Sequence, residues 1–155
     1  MATARPAGNT RLRLTRPAVF GAFDGAASLI GVVIYLAMAH PSLIFPAAVS
    51  GALTSAVSMG GGEFLSDSDS GWGASAVMAM ATFAGALAPA IPFAFTRGLP
   101  AVTWCALICA AVVVIVAALR PNRGRGLALA ETAGLFAAAV AVALACSRLL
   151  PGSAA

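Results

Sequence analysis

The sequence predicts an all-α fold, an integral membrane bundle of five transmembrane helices. Three observations carry that expectation. The chain is 61% hydrophobic with a mean hydropathy of +0.96. Only 9% of its residues are charged, against about 25% in ordinary globular domains, too few to cover a soluble surface of this size. And the apolar residues fall into five runs of about 20, the length a helix needs to cross a hydrocarbon core about 30 Å thick.

The first run spans about 18–39, the second 43–65 and the third 74–95; the fourth spans 99–119 and the fifth 127–150. The connections are short: "HPS", "SDSDSGWG", "TRG" and "RPNRGRG". This divides the chain into a basic tail (1–17), a transmembrane domain (18–150) and a short C-terminal tail (151–155). The first run ends in "AMA", like a signal-peptide cleavage site. It is too long for a signal peptide's apolar region and carries Asp24 within it, so it reads as a retained helix.

Orientation follows the arginines, the only basic residues apart from His40, since the chain has no lysine. Arg5, Arg11, Arg13, Arg16, Arg120, Arg123 and Arg125 fall on one side of a five-span topology, and only Arg97 and Arg148 on the other. The positive-inside rule then places the N-terminus in the cytoplasm and the C-terminus outside. The net charge of +4 is spread over loops and tails and forms no patch for nucleic acid. Cys105, Cys109 and Cys146 all sit in apolar runs and give no disulfide framework. No nucleophile–base pair and no histidine within the bundle suggest an enzyme.

The first two helices are rich in small residues. Gly21 and Gly25 make a small-xxx-small pair, and "AAVSGALTSAVSMG" is nearly all small. Such faces let backbones approach closely, and they lead to the expectation of a homodimer packed through these two helices.

Chemistry concentrates at a few positions. Asp24 is a carboxylate inside a membrane helix, costing at least about 2.5–3.5 kcal/mol to insert; such groups bind ions, relay protons or pair with a buried arginine. Met59 lies at the far end of the antiparallel first hairpin, at a depth similar to that of Asp24. Glu63, four residues on, shares its helical face. Two carboxylates with a thioether suit Fe²⁺ or Mn²⁺ better than Mg²⁺. Gly60, Gly61 and Gly62 between them either unwind the helix, exposing carbonyls to an ion, or admit a neighbouring helix. Pro89 and Pro92 in "GALAPAIPF" imply a kink, freeing the carbonyls of Gly85 and Ala88. Glu131, one turn into the last helix, reads either as a third functional carboxylate or as a structural one, favoured by the helix dipole and near Arg123 and Arg125.

Three of these stretches together resemble the vacuolar iron transporter family. "FDGAASLIGVV" is similar to its DG-x-x-S first helix, adding Ser28 to the residues of interest. "SMGGGEFLS" is similar to its SM-x-x-GE-[YF]-[LV]-S ending of the second helix, and "GALAPAIPF" to its GAL-x-P-x-x-PF. "ACSRLLPG" loosely resembles the ending of the family's fifth helix. The resemblance implies a five-helix homodimer that moves Fe²⁺ or Mn²⁺ out of the cytosol in exchange for protons, with no permanently bound cofactor. Asp24, Met59 and Glu63 would be metal-path residues, and Ser28, Gly60–Gly62, Pro89 and Pro92 would lie along the path or its hinge. Many members insert a glutamate-rich metal-binding domain between the second and third helices. Here only "SDSDSGWG" stands there, making this a short form. The expected setting is a bacterial plasma membrane, with the bilayer, a second copy and divalent ions as partners and no nucleic acid. The alternative is a non-transporting relative that serves as a membrane interaction or assembly subunit.

Overall fold

The computed structural model describes residues 10–66, 71–120 and 124–149. The tail before residue 10, Asp67, Asp69, Arg123 and the C-terminal tail lie outside the described residues. Among those described there is no strand. The elements are α1 (Thr10–Ala39), α2 (Ile44–Ser66), α3 (Gly71–Leu87), the one-turn α4 (Pro92–Phe95), α5 (Leu99–Leu119) and α6 (Arg125–Leu149). Five stretches among them are long and apolar enough to cross a bilayer.

Two elements depart from the expected boundaries. α1 begins at Thr10 rather than near residue 18, running through Pro17, because helical pattern continues past the apolar span that marks the membrane. The third run stays helical but changes pitch at its prolines, where the Ile91 amide still reaches the Leu87 carbonyl at 3.2 Å. α3 stops at Leu87, a 3₁₀ turn covers Ala88–Ala90, and α4 adds one turn. The prolines explain it, since each removes a backbone donor. The Ala88 carbonyl that Pro92 leaves free is taken up by the Ile91 amide, at 3.3 Å. Pro89 and Pro92 are both buried. Beyond α4 the chain turns at Gly98, whose φ of 67° favours glycine, and enters α5.

The tightest seam joins α1 to α3. A Cβ on Gly21 would stand 2.6 Å from the Met78 carbonyl oxygen and 2.7 Å from Thr82 Oγ1. One on Gly25 would collide with the Thr82 carbonyl, and one on Gly85 with that of Ala22. Rising numbers on both helices make the two parallel, with α2 antiparallel beside them. The glycines expected at a homodimer interface are therefore used inside the protomer. A small-xxx-small pair announces a close helix approach without saying which helix approaches.

Ala26, Leu29, Val33, Ala48, Ala52, Cys105, Cys109 and Phe136 belong to the shared core, where Phe23 meets Phe136 edge-on at 6.3 Å. Of the five long helices α6 is the least buried: its buried residues are Ala128, Thr132 and Phe136.

Candidate functional site

Asp24 sits half-buried on α1, between Gly21 and Gly25. Those glycines seal one face of the helix, and Asp24 lies on another. With Ser28, Gly31 and Tyr35 it follows a 4-3-4 spacing, a single stripe along the helix. Ser28 and Tyr35 are exposed. The stripe, from Ser28 onward, forms one wall of a groove of about 810 Å³ between α1 and α6, with Ala139, Val142, Ala143 and Cys146 on the other. Among the described residues the side chains of Asp24, Ser28 and Tyr35 make no hydrogen bond or ion pair. A carboxylate, a hydroxyl and a phenol thus run in line along a membrane-spanning helix on the side away from its own core.

Met59 and Glu63 stand elsewhere. Both are half-buried, and with Ala48 and Ala52 they continue the inner stripe of α2. The side chain of Leu29 comes within 3.2 Å of a Cβ placed on Gly51, which registers the α1–α2 hairpin. Stepping five residues back along α1 to Asp24 reaches Ala56 on α2. Met59 is three residues further, about 4.5 Å nearer the arginine-rich end, and Glu63 about 6 Å beyond that. Asp24 also lies about 140° round α1 from Leu29, so it points away from α2 of its own protomer. By helical spacing Met59 and Glu63 share one face of α2, while Asp24 lies on a face of α1 turned from the Leu29 contact with α2. Among the described residues no three histidine, cysteine, aspartate or glutamate side chains converge on a metal-sized site; a set of two carboxylates and a thioether falls outside that pattern.

The three glycines divide. α2 runs unbroken through Gly60, Gly61 and Gly62. Gly60 is buried against α3, where an added Cβ would come within 2.8 Å of Ala79 Cβ and 3.0 Å of the Ser75 carbonyl oxygen. Gly61 and Gly62 face open space. Just past them Phe64 stacks on Trp72 with ring centroids 4.5 Å apart, tying the end of α2 to the start of α3.

Glu131 is engaged in an ion pair. Its Oε2 stands 2.8 Å from Arg120 Nη2, and Arg120 Nη1 also donates to Thr132 Oγ1 at 3.4 Å. The pair crosses from α5 to α6 at the arginine-rich end. The sequence had pointed to Arg123 and Arg125 as neighbours; Arg120, eleven residues away, is the partner shown, and Arg123 lies outside the described residues. His40 is exposed in the turn between α1 and α2 at the opposite end.

One buried polar group was not singled out by sequence. Ser75, on α3, is 5% exposed, and its hydroxyl has no hydrogen-bond partner among the described residues. A serine in an apolar helix gives no signal on its own; its burial depends on which two helices close over it.

Compared with models of known protein families, with curated proteins and with solved structures, the chain matches none.

Proposed function

We propose that the protein is a transporter of divalent iron or manganese, working as a homodimer in a bacterial plasma membrane and exporting the ion from the cytosol in exchange for protons. The observation that carries this reading is the unpaired Asp24, in line with Ser28 and Tyr35 on a face of α1 that its own core leaves uncovered. Left to lipid, such a carboxylate is costly. A second copy docked on the same stripe removes it from lipid. In a twofold dimer the contact is isologous, so two Asp24 carboxylates approach one axis. Two such groups hold a divalent cation between them, and ion and proton compete for the same carboxylate oxygens. Ion binding then releases a proton and proton binding releases the ion.

Met59 and Glu63 form a second station about a turn nearer the arginine-rich end. The thioether tilts preference toward Fe²⁺ and Mn²⁺ over Mg²⁺. The excess of arginine at that end favours a cytoplasmic N-terminus, which makes Glu63 the entry and Asp24 the deeper step. The motif resemblance to vacuolar iron transporters supports the same assignment. The short connection between α2 and α3 favours a second reading, in which a relative without a metal-capture domain serves as an assembly subunit.

The test is metal flux into proteoliposomes, with Fe²⁺, Mn²⁺ and Mg²⁺ compared under an imposed pH gradient. A transporter moves the first two, acidifying or alkalinising the lumen in step. Absence of flux from protein shown to be folded and dimeric would favour the assembly subunit.

A further inference from the structure

Three buried polar side chains occur among the described residues: Ser75, Thr82 and Thr132. Two of them are satisfied within their own helix. Thr82 Oγ1 donates to the Met78 carbonyl at 2.8 Å, and Thr132 Oγ1 to the Ala128 carbonyl at 2.7 Å. Ser75 has the same option in the Gly71 carbonyl, four residues back, and its hydroxyl does not take it. An unpaired hydroxyl buried in a membrane bundle is unfavourable by an amount comparable to a lost hydrogen bond, and a native structure tolerates few of them.

Its position gives the hydroxyl a role. Ser75 lies three residues before Met78 and seven before Thr82, the α3 positions that meet Gly21 of α1. It lies four residues before Ala79, the position that meets Gly60 of α2. Ser75 is therefore on the strip of α3 that looks into the junction of α1, α2 and α3. Its own carbonyl touches the Gly60 position directly. Across that contact, Met59 is the adjacent residue of α2 and Glu63 is one turn on, both half-buried on the inner stripe. The Glu63 carboxylate makes no ion pair among the described residues. By helical spacing a carboxylate, a thioether and a hydroxyl, contributed by two helices, thus fall at neighbouring levels on either side of the Gly60 contact. The glycine at position 60 is what permits that approach.

We propose that the Ser75 hydroxyl is a further ligand of the entry station, supplying a neutral oxygen to a divalent cation held by Glu63 and Met59. The proposal rests on the cation reading above and deepens it by adding a residue that sets selectivity. A neutral hydroxyl beside one carboxylate and one thioether makes a site of intermediate softness. Replacing the oxygen by sulfur at this one position shifts the site toward softer ions.

The experiment uses full-length protein in detergent in which Cys105, Cys109 and Cys146 are replaced by alanine, so that any new thiol is the only one. Equilibrium binding of Mn²⁺ and Cd²⁺ is measured for this background and for Ser75→Cys. The expected result is Cd²⁺ binding tightened by about 10-fold or more, with Mn²⁺ binding weakened, the range seen when a metal's surroundings are altered. Adding Glu63→Gln to Ser75→Cys should erase the gain. Unchanged Cd²⁺ affinity overturns the proposal, as does a gain that survives Glu63→Gln, which would mark an isolated thiol. Should Ser75→Cys fail to fold, Ser75→Ala takes its place. There Mn²⁺ affinity falls about 10-fold if the hydroxyl is a ligand, and stays unchanged if Ser75 is only a packing residue. Binding is read without transport, so loss of the flux reading and loss of this one are separate outcomes.

Discussion

The two sides of α1 are built to opposite specifications. Toward α3 it presents Gly21, Ala22 and Gly25, and the backbones come so close that no side chain fits between them. Toward the groove with α6 it presents Ser28, Gly31, Val32 and Tyr35, with about 810 Å³ left unfilled, and Asp24 opens the stripe one turn below. The first side is finished within one protomer. The second carries polar groups and is not. The contrast separates the part of the helix that holds the fold from the part that its own core leaves uncovered.

The largest expected effect comes from forcing the finished side apart. Gly25→Leu drives a branched side chain into the Thr82 carbonyl and the Ala86 amide. Its cost is about 3 kcal/mol or more, and no monodisperse protein should be recovered by size-exclusion chromatography in detergent. Recovery of a stable protein would mean the seam is looser than described.

On the other side, Asp24→Asn should leave folding and expression intact, because the carboxylate has no partner to abandon, while metal flux in proteoliposomes falls to background. Full flux through the variant would remove Asp24 from the path. Loss of folded protein would instead point to a structural partner for it.

Filling the groove sharpens the contrast further. Val142→Trp adds bulk on the α6 wall, far from the α1–α3 seam. Thermal stability of the protomer should change little, while the dimer, measured by light scattering in detergent, shifts toward monomer. A dimer that persists would place the interface elsewhere.

Smaller effects test the glycines of α2 and the α5–α6 pair. Gly61→Ala meets nothing within 4 Å and should stabilise the helix by about 0.5–1 kcal/mol. Gly60→Ala meets Ala79 and should destabilise. If Gly61→Ala raises melting temperature yet stops flux, α2 unwinds during the cycle. Glu131→Gln breaks a partly exposed pair and should lower stability by no more than about 1 kcal/mol, with flux retained.

The sequence made the five spans legible because each is a long apolar run with punctuated ends. The run bounded by "TRG" and "RP" matches α5 from Leu99 to Leu119. The candidate residues were legible as types, since a carboxylate in an apolar run stands out whatever surrounds it. Their grouping was not. Whether Asp24 faces Met59 depends on the rotation of α1, and that rotation is set by glycines whose partner helix is two spans away. Ser75 was invisible for the same reason. Closeness in sequence favours Arg123 and Arg125, whereas the packing of α5 beside α6 brings position 120 alongside Glu131.

The parallel pairing of α1 with α3 also has a consequence for biogenesis. α1 must wait for its closest partner until two more spans have been made. From Ala39 to Leu87 the ribosome adds 48 residues, about 2–10 s of synthesis at usual rates. During that interval the glycine face of α1 has no α3 to fill it. In those seconds a competing helix can take the glycine face, and the arrival of α3 closes it.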